Sequence, residues 1–473
     1  MDEEFYFFFL SELAEAIRAR RVSPVELTKI YLDRLEKFGP ALGAVAQVMR
    51  DSALRQARQA EQEIMRGRYR GPLHGIPYGA KDLLATREAR TTWGAQPFRE
   101  QQFDEDATVI RRLREAGAIL VAKLAMIELA GGMGYNEASA SWTGPCRTPW
   151  NKDYWSGGSS SGPGAATAAG LVSFSIGSET SGSIITPAAF CGLSGLRPTY
   201  GMVSRHGAMA LSWTLDKLGP MCRSADDCGL VLAAIAGPDP LDPTSRDFKF
   251  VYPAQAGRGR RQRGRRLRVA VMKDSYQKAQ VEVRENFLRS LEVLKGFASV
   301  EMDVPLPSFP YGPAVGAIVD AEGASAFREL IESGRVQELA SPTGRAGGYA
   351  ASLVTAVDYL HAMRLRGPMR RAWAEMFRKF DLLAAPSRST VAYPLDKTFD
   401  QAYPNTGASS PIGASNLVGV PAISIPNGFG QQGLPTGIQL IGPAGSEHLL
   451  LEAAVSYQEA TDWHKRRPSL TGL

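Results

Sequence analysis

Two clusters of glycine and serine in the middle of this chain constrain its fold more than any other feature. The first occupies 157–162 and the second 177–183, which sets Ser159 and Ser183 24 residues apart. The residues between the clusters are small, mostly alanine and glycine, and then apolar over 171–176. Small side chains let a helix approach its neighbours closely, and a short apolar run is typical of a buried strand. The pattern predicts a central helix and a buried strand that ends in a glycine–serine turn.

Helix and strand patterns alternate through residues 60–240, which is typical of an α/β sheet covered by helices. Before this region, 11–38 is predicted to form two helices, and a capping box from Ser23 to Glu26 begins the second. Asp106 is predicted to cap a further helix. The other predicted elements are helices 107–116 and 447–461, a helix that starts at 224–227 and stops at Gly237, and strands 118–122, 267–271, 422–425 and 438–441.

The chain has 473 residues, of which 44% are hydrophobic and 22% charged, as in an ordinary globular protein. No apolar run is long enough for a membrane span or a secretory signal, so no membrane partner is expected. The four cysteines form no C-x-x-C pair, and the five histidines show no metal-ligand spacing. We therefore expect reduced cysteines, a cytoplasmic protein and no bound metal.

The formal net charge of +6 comes from one segment, because seven arginines fall between Arg258 and Arg268. Such a run indicates either an anionic partner or a solvated loop that enters the strand 267–271. No aromatic residues are interleaved with these arginines, as they are in surfaces that stack on bases. The solvated loop is the favoured interpretation, and no nucleic-acid partner is expected.

One lysine and two serines carry the groups of a nucleophilic hydrolase. Lys81 ends the apolar stretch 75–81, where loss of solvent would favour its neutral, basic form. A serine hydroxyl needs such a base before it can attack a carbonyl, and glycines beside it free backbone N–H groups for an oxyanion. The alternatives are a surface lysine paired with Asp82 and an ordinary glycine–serine turn.

Ser160 is a rival nucleophile, because 158–162 fits the G-x-S-x-G elbow of α/β-hydrolase esterases. That motif requires a preceding strand and a downstream acid and histidine. Residues 149–155 have no strand pattern. The downstream histidines, at 206, 361, 448 and 464, stand in no telling context, so the esterase is kept as an alternative.

The two serine clusters and Lys81 belong to a longer series of segments that resembles the amidase signature family, whose members hydrolyse C–N bonds with a Ser–cis-Ser–Lys triad. The matching segments, in chain order, are 74–81, 157–162, 177–183, 187–192, 195–201 and 434–442. The resemblance implies a single large α/β domain over 1–473, with a mixed, mostly parallel central sheet and helices on both faces. Within it, the signature core would span about 60–240, the variable region about 241–380, and the C-terminal strands and helix 381–473.

By this resemblance Ser183 is the nucleophile, Ser159 is the intermediate serine that follows a cis peptide bond, and Lys81 is the base. The backbone N–H groups that would form the oxyanion hole are those of Ser183 and its predecessors Thr180, Ser181 and Gly182. The family's chemistry implies no metal and no organic cofactor.

Departures from the family pattern point to a neutral amide substrate. The family usually has Asp-Thr-Gly-Gly-Ser-Ile-Arg over the segment 179–185, whereas this chain has Glu179, Ser181 and Ile185 at the first, third and last positions. Loss of the cation beside the nucleophile indicates a substrate without a carboxylate near the scissile bond. The resemblance therefore predicts an amidase for neutral amides, including aryl amides, with carbamates as a further, urethanase-like class.

Gly132, Met133 and Gly158 are predicted to contact the substrate. The first two lie in a glycine-rich loop, 131–134, at about the distance before Ser159 where family members place a pocket loop. A plain turn explains the same glycines equally well. An open, uncharged pocket there would admit a small-molecule amide or carbamate.

Two further alternatives stay open. The family includes the glutaminase, or A, subunit of tRNA-dependent amidotransferases, which recognises glutamine with an acid and an arginine. Arg366 could supply the arginine, but no acid occurs between Asp400 and Glu447. The other alternative is a non-catalytic binding protein on the same fold. The sequence leaves both a monomer and a homodimer open.

Overall fold

The computed structural model describes residues 3–252, 266–404, 406 and 408–471. Most of the arginine run lies outside these ranges, so the solvated loop expected over 258–265 stays a prediction. The last two arginines of the run are described. Arg266 donates to the Ala298 carbonyl over 3.0 Å, and Arg268 pairs with Asp381 at 3.0 Å. Both side chains therefore tie neighbouring elements together.

One sheet of eleven strands runs through the described residues. Its strands are β1 (Val45–Val48), β2 (Pro77–Lys81), β3 (Ile119–Leu124), β4 (Phe174–Glu179), β5 (Ser194–Arg197), β6 (Lys217–Cys222), β7 (Leu267–Met272), β8 (Ala298–Val304), β9 (Leu382–Pro386), β10 (Ala422–Phe429) and β11 (Pro435–Ile441). They lie side by side in the order β1-β3-β2-β4-β6-β5-β10-β11-β9-β7-β8. The site described below lies where β2 and β4 run in parallel next to each other.

The sheet is mixed, as predicted, but the expectation that it is mostly parallel is wrong. Four neighbouring pairs are parallel (β3–β2, β2–β4, β9–β7 and β7–β8), whereas the other six are antiparallel. The short turn over 430–434 joins β10 to β11, and a link of that length can connect only antiparallel neighbours. The expectation of a mostly parallel sheet rested on the family resemblance, and apolar runs could not correct it because they look the same in parallel and antiparallel strands.

Helices cover both faces of the sheet. Their bounds are α1 (Leu10–Arg18), α2 (Pro24–Leu42), α3 (Arg50–Met65), α4 (Thr108–Glu115), α5 (Ser161–Ala168), α6 (Ile185–Cys191), α7 (Ala225–Ile235), α8 (Val281–Lys295), α9 (Tyr311–Ala326), α10 (Arg328–Glu332), α11 (Pro342–Ala351), α12 (Ala356–Lys379), α13 (Phe399–Ala402), α14 (Ile412–Val418) and α15 (Glu447–Glu459). Strand β5 separates two layers. Gly195 approaches Ala188 of α6, whereas the next residue back, Ser194, accepts a hydrogen bond from Gln458 of α15 over 3.0 Å. Successive residues of a strand point to opposite faces, so α6 and α15 lie on opposite sides.

Local sequence signals predicted the positions of most of these helices and strands correctly and of a few incorrectly. The capping box that begins α2 is present, because Ser23 accepts from Glu26 N and Glu26 accepts in return from Ser23 N. The predicted cap by Asp106 is wrong, since helix α4 begins after Ala107 without a side-chain cap and Asp106 accepts instead from Arg87 N over 3.0 Å. Helix α5 is buried along its whole length, as its small side chains predicted. The strand expected over 171–176 begins three residues later, at Phe174.

All four cysteines are buried free thiols. Within the described ranges, no group of three or more histidine, cysteine, aspartate or glutamate side chains is arranged to hold a metal ion. No helix in the same part of the chain is both long enough and apolar enough to cross a bilayer.

Candidate active site

Lys81, at the end of β2, lies close to two serines, Ser159 and Ser178. Ala80 pairs with Ile176 across the two parallel strands, so Lys81 ends β2 beside the last residues of β4. The Lys81 Nζ atom lies 2.7 Å from the Ser159 Oγ atom and 2.9 Å from the Ser178 Oγ atom. The Lys81 side chain has no exposure to solvent. The alternative of a surface lysine paired with Asp82 is therefore wrong for this position, because Asp82 pairs with Lys123 at 3.1 Å instead.

Burial sets the protonation of this lysine. Removal from water disfavours the ammonium form and lowers the pKa of Lys81 to about 7, although the charges of Asp216 and Glu179 act in the opposite direction. A substantial fraction of Lys81 is then neutral near neutral pH. Neutral Lys81 can accept a proton from a hydroxyl at 2.7 Å, which is a normal hydrogen-bond distance.

Ser159 follows a cis peptide bond, as predicted, and its side chain is fully buried. The preceding residue must be glycine, since a Cβ atom on Gly158 would stand 2.6 Å from the Cζ2 atom of Trp155. The Ser159 carbonyl accepts from Ile127 N over 3.1 Å. One residue further on, Ser160 N donates to the Ser183 carbonyl over 3.3 Å, which joins the backbones of the two serine clusters.

Ser183 lies on the turn between β4 and α6. It is 9% exposed, and Gly182 before it has a φ of +100°, a conformation that favours glycine. Ser181 is exposed and keeps its φ outside the positive range, so the serine found here in place of the family's glycine fits without backbone strain. The turn therefore presents Ser183 at the end of a rigid strand.

Glu179 fixes both ends of this turn. Its carboxylate accepts hydrogen bonds from Ile184 N and Ile185 N over 2.9 and 3.0 Å, at the start of α6. The other oxygen accepts from Arg197 and from Asn416, each over 2.8 Å. Burial disfavours the charge of Glu179, but these partners outweigh it and lower its pKa to about 2. In the sequence this position stands out only as a mild replacement of aspartate, and the anchoring role becomes visible only in the structure.

Asp216 anchors the first residue of the same turn. Its Oδ1 atom accepts from the Thr180 hydroxyl over 2.6 Å. Its Oδ2 atom accepts from Leu211 N and Ser212 N over 2.8 and 2.9 Å. Burial raises the pKa of Asp216 above its usual range, although these hydrogen bonds act in the opposite direction. Sequence reasoning missed this residue, because Asp216 precedes β6 in a segment with no motif of its own.

The hydroxyl of Ser160, the alternative nucleophile, is hydrogen-bonded to the backbone. The Ser160 hydroxyl donates to the Ser178 carbonyl over 3.1 Å and accepts from Ser178 N over 3.2 Å. Both bonds hold α5 against β4, so Ser160 has a structural explanation that needs neither histidine nor acid. The elbow would require a strand before Ser160, but residues 156–159 do not form one.

The three residues predicted to contact the substrate have different surroundings in the structure. Gly132 lies against Leu211, whose methyl carbon would be 2.3 Å from a Cβ atom on the glycine. Met133 is 3% exposed and packs on Gly348 of α11. Gly158 lies beside Ser159, as described above. Contact of these three residues with substrate stays a prediction.

Arg366 donates to backbone carbonyls and a thioether in this structure. Its Nε atom donates to Leu417 O and its Nη2 atom to Thr214 O, each over 2.9 Å, and its Nη1 atom lies 3.6 Å from the Met363 sulfur. Burial lowers the pKa of Arg366 to about 10. The arginine therefore ties α12 to α14 and to the segment before β6.

Comparison with known proteins gives the family of the chain. The family model described as amidase matches residues 26–451. The chain belongs to the amidase signature family. The A subunit of glutamyl-tRNA(Gln) amidotransferase from Moorella thermoacetica is 37% identical to this amidase over 499 residues, with 99% of each chain covered. The native peptide amidase of Stenotrophomonas maltophilia has a TM-score of 0.83 at 28% identity, with 98% of each chain covered. A protein of a vestigial complex that reveals the origins of an s-triazine catabolic enzyme has a TM-score of 0.86 at 27% identity and covers 98% of this chain and 100% of its own.

Proposed function

We propose that this amidase hydrolyses the C–N bond of neutral amides through an acyl-enzyme on Ser183, with Ser159 and Lys81 as the proton relay. The observation that carries the proposal is the 2.7 Å contact between the buried Lys81 Nζ atom and the Ser159 Oγ atom. A lysine with a pKa of about 7 serves as a base near neutral pH without a histidine.

The relay moves one proton in each direction. Neutral Lys81 takes the proton of Ser159, which takes the proton of Ser183 as the Ser183 oxygen attacks the amide carbon. When the C–N bond breaks, the proton returns through Ser159 to the departing nitrogen. Water then attacks the acyl-enzyme by the same route, which releases the acid and restores the serine.

The oxyanion would be held by the backbone N–H groups of Thr180, Ser181, Gly182 and Ser183. Two carboxylates support this assignment, because Glu179 fixes the backbone after the turn and Asp216 fixes the Thr180 side chain before it. Donors that are held in place before the reaction need no reorganisation when the charge forms.

A second candidate concerns the substrate. Full-length similarity to an amidotransferase A subunit supports the side-chain amide of glutamine, rather than an aryl amide, as the substrate of this chain. It also implies further subunits as partners. The relatives reported above include no carbamate-cleaving protein, so the carbamate expectation has no support from them. The absence of an acid between Asp400 and Glu447, together with the backbone contacts of Arg366, argues against recognition of free glutamine by that pair of side chains.

Covalent labelling tests the nucleophile directly. The purified chain is incubated with a fluorophosphonate, and the label is located by intact mass and peptide mapping. We expect label on Ser183 in the wild type and in Ser160→Ala, and none in Ser183→Ala or Lys81→Ala. Label on Ser160 would contradict the proposal and support the esterase alternative. A wild type that is neither labelled nor active would support a binding role.

Substrate assays separate the two candidates. Ammonia release is measured from L-glutamine and from uncharged primary amides under the same conditions. Turnover of uncharged amides with little glutaminase activity supports a stand-alone amidase. Preferential turnover of glutamine supports the amidotransferase role.

A further inference from the structure

Several arginine side chains meet at Tyr200, a half-buried residue that follows strand β5. The Arg205 guanidinium lies 5.0 Å from the centre of the Tyr200 ring and donates to the Tyr200 hydroxyl over 3.2 Å. Both side chains also donate to the Trp213 carbonyl, each over 2.6 Å. Arg246 is held next to them, because its backbone N–H donates over 2.8 Å to the carbonyl of the residue after Tyr200.

Helix α12 brings two more arginines to the same place. Arg366 donates to Thr214 O over 2.9 Å, and Thr214 directly follows the residue whose carbonyl binds Tyr200. Tyr200 and Arg366 also both donate to backbone carbonyls at the end of α14. Arg370 follows Arg366 by about one turn of the helix. Three segments of the chain therefore place four arginines around one tyrosine.

Arg205 and Arg366 have protein partners for their guanidinium groups. Besides the bonds described above, Arg205 Nη2 donates to Thr244 Oγ1 over 2.7 Å, and its Nε atom lies 3.7 Å from a carboxylate oxygen of Asp242. Arg366 is buried, and both of its printed backbone contacts are carbonyl oxygens. These two side chains therefore contribute positive charge but few free N–H groups.

Among the described residues, Arg246 and Arg370 have no such partners. Both side chains are exposed, and neither guanidinium hydrogen-bonds to, or pairs with, a carboxylate in this part of the chain. The Asp247 carboxylate, next in sequence, accepts instead from Lys249 N over 3.1 Å. Partial removal from water lowers the pKa of Arg370, and the positive charge of Arg246 lowers it further. The two guanidinium groups are therefore neighbours that repel each other.

Two free guanidinium groups side by side favour an oxyanion with two negative charges. The N–H groups of an arginine form a fork that matches two oxygens of a phosphate, and one phosphate group can accept from two such forks. The anion would cancel the repulsion between the two cations, and the charges of Arg205 and Arg366 behind them would add to the attraction. A carboxylate has one charge and two oxygens, so it would leave one guanidinium unmatched.

We propose that Arg246 and Arg370 bind the phosphate group of a small molecule beside Tyr200, with Arg205 and Arg366 as supporting charges. Free phosphate and a phosphate monoester present the same group to this site. The proposal does not rest on the amidase function, because neither Arg246 nor Arg370 belongs to the proposed relay. It assigns this surface a ligand that is neither the amide substrate nor a product of its hydrolysis.

The first experiment measures binding of inorganic phosphate by isothermal titration calorimetry, at about pH 8, where phosphate is mostly a dianion, and at an ionic strength held constant with sodium chloride. The variants are Arg246→Gln and Arg370→Gln. The control is Arg378→Gln, which removes the same charge from α12 but from a side chain that pairs with Glu375 at 3.0 Å. We expect one saturable site in the wild type and the control, and an affinity at least about tenfold lower in each of the two variants.

Two results of this titration would overturn the proposal. One is the absence of saturable binding by the wild type. The other is an equal loss in all three variants, which would show a general effect of net charge. Glycerol phosphate is titrated in the same way: binding of both compounds identifies an organic phosphate as the ligand, and binding of phosphate alone identifies the free ion.

The second experiment needs no variant. Phenylglyoxal modifies accessible arginines, and the modified residues are located by peptide mass. We expect saturating phosphate to slow the modification of Arg246 and Arg370 at least about fivefold and to leave that of Arg378 unchanged, relative to chloride at the same ionic strength. Unprotected Arg246 and Arg370, or equal protection by acetate, would reject a phosphate site. Neither experiment depends on turnover, so an inactive Ser183 would leave this proposal intact.

Discussion

The Nζ atom of Lys81 and the Oγ atom of Ser159 lie 2.7 Å apart in a place where neither side chain is exposed to solvent. Two neighbouring strands and a turn enforce this contact, because Lys81 ends β2 and Ser159 precedes α5. Whether Lys81 can accept the Ser159 proton therefore depends on how strongly the surrounding protein disfavours the charged form of the lysine.

Activity should rise with pH through about pH 7. Burial lowers the pKa of Lys81 to about 7, and only its neutral form can take the Ser159 proton. Below that pH the lysine is protonated and the relay stops, whereas above it the rate reaches a plateau. The measurement is log kcat/KM against pH for an uncharged amide, whose own ionisation cannot contribute. A maximum under acidic conditions would remove Lys81 as the base.

Asp216→Asn should move that rise to lower pH. The negative charge of Asp216 raises the pKa of Lys81, so its removal favours the neutral lysine. The asparagine keeps the shape of the side chain and can still contact the Thr180 hydroxyl. Asp242→Asn is the matched control, since Asp242 is also buried but is paired with Arg205. An acid limb that stays in place in Asp216→Asn, or shifts equally in both variants, would contradict the electrostatic role.

Arg197→Met should destabilise the fold by about 3–5 kcal/mol, because it leaves the carboxylate of Glu179 buried without its cation. Urea denaturation measures the loss. The control is Arg268→Met, whose pair with Asp381 is partly exposed and is therefore expected to contribute little to stability. Equal losses in the two variants would show that burial of the Arg197 pair has no special weight.

The same pair predicts a pH dependence of stability. The folded-state pKa of Glu179 is about 2, below the ordinary value for a glutamate of about 4.3. Its contribution to the free energy of unfolding is present above pH of about 4.3 and is lost as pH falls toward 2. Glu179→Gln should therefore unfold with a weaker dependence on pH across that window. Identical acid dependence in the two proteins would count against the depressed pKa.

Ser160→Ala should keep the active-site label on Ser183 and most of the turnover. The Ser160 hydroxyl bonds to the backbone of Ser178, so its removal leaves a buried N–H without its partner and should lower stability by about 1–3 kcal/mol. Thermal denaturation and fluorophosphonate labelling are measured on one preparation. A folded Ser160→Ala protein that takes no label would reopen the esterase interpretation.

The contact between Lys81 and Ser159 was easier to predict from the sequence than the direction of the strands. Lys81 and Ser159 stand in local motifs, so their contact could be predicted from a family resemblance, whereas the catalytic roles of Lys81, Ser159 and Ser183 stay predictions. The anchoring contact of Asp216 could not be predicted, because a carboxylate that caps a distant turn is selected by three-dimensional proximity and leaves no periodic pattern. The direction of the strands could not be predicted from the apolar pattern either, because a buried apolar run looks the same in a parallel and an antiparallel pair.

The side chains of strand β4 alternate between two faces, and each face contacts a different part of the site. Ser178 and Thr180 point to the face that holds Lys81 and Asp216, and Glu179 points to the face that holds Arg197. Deletion of a single residue upstream in this strand would exchange the two faces. A carboxylate would then meet Lys81 and hold it protonated, while a hydroxyl would leave the Arg197 cation without its counter-charge. The loss of one residue would thus remove the base and the anchor together, although every side chain of the site would still be encoded.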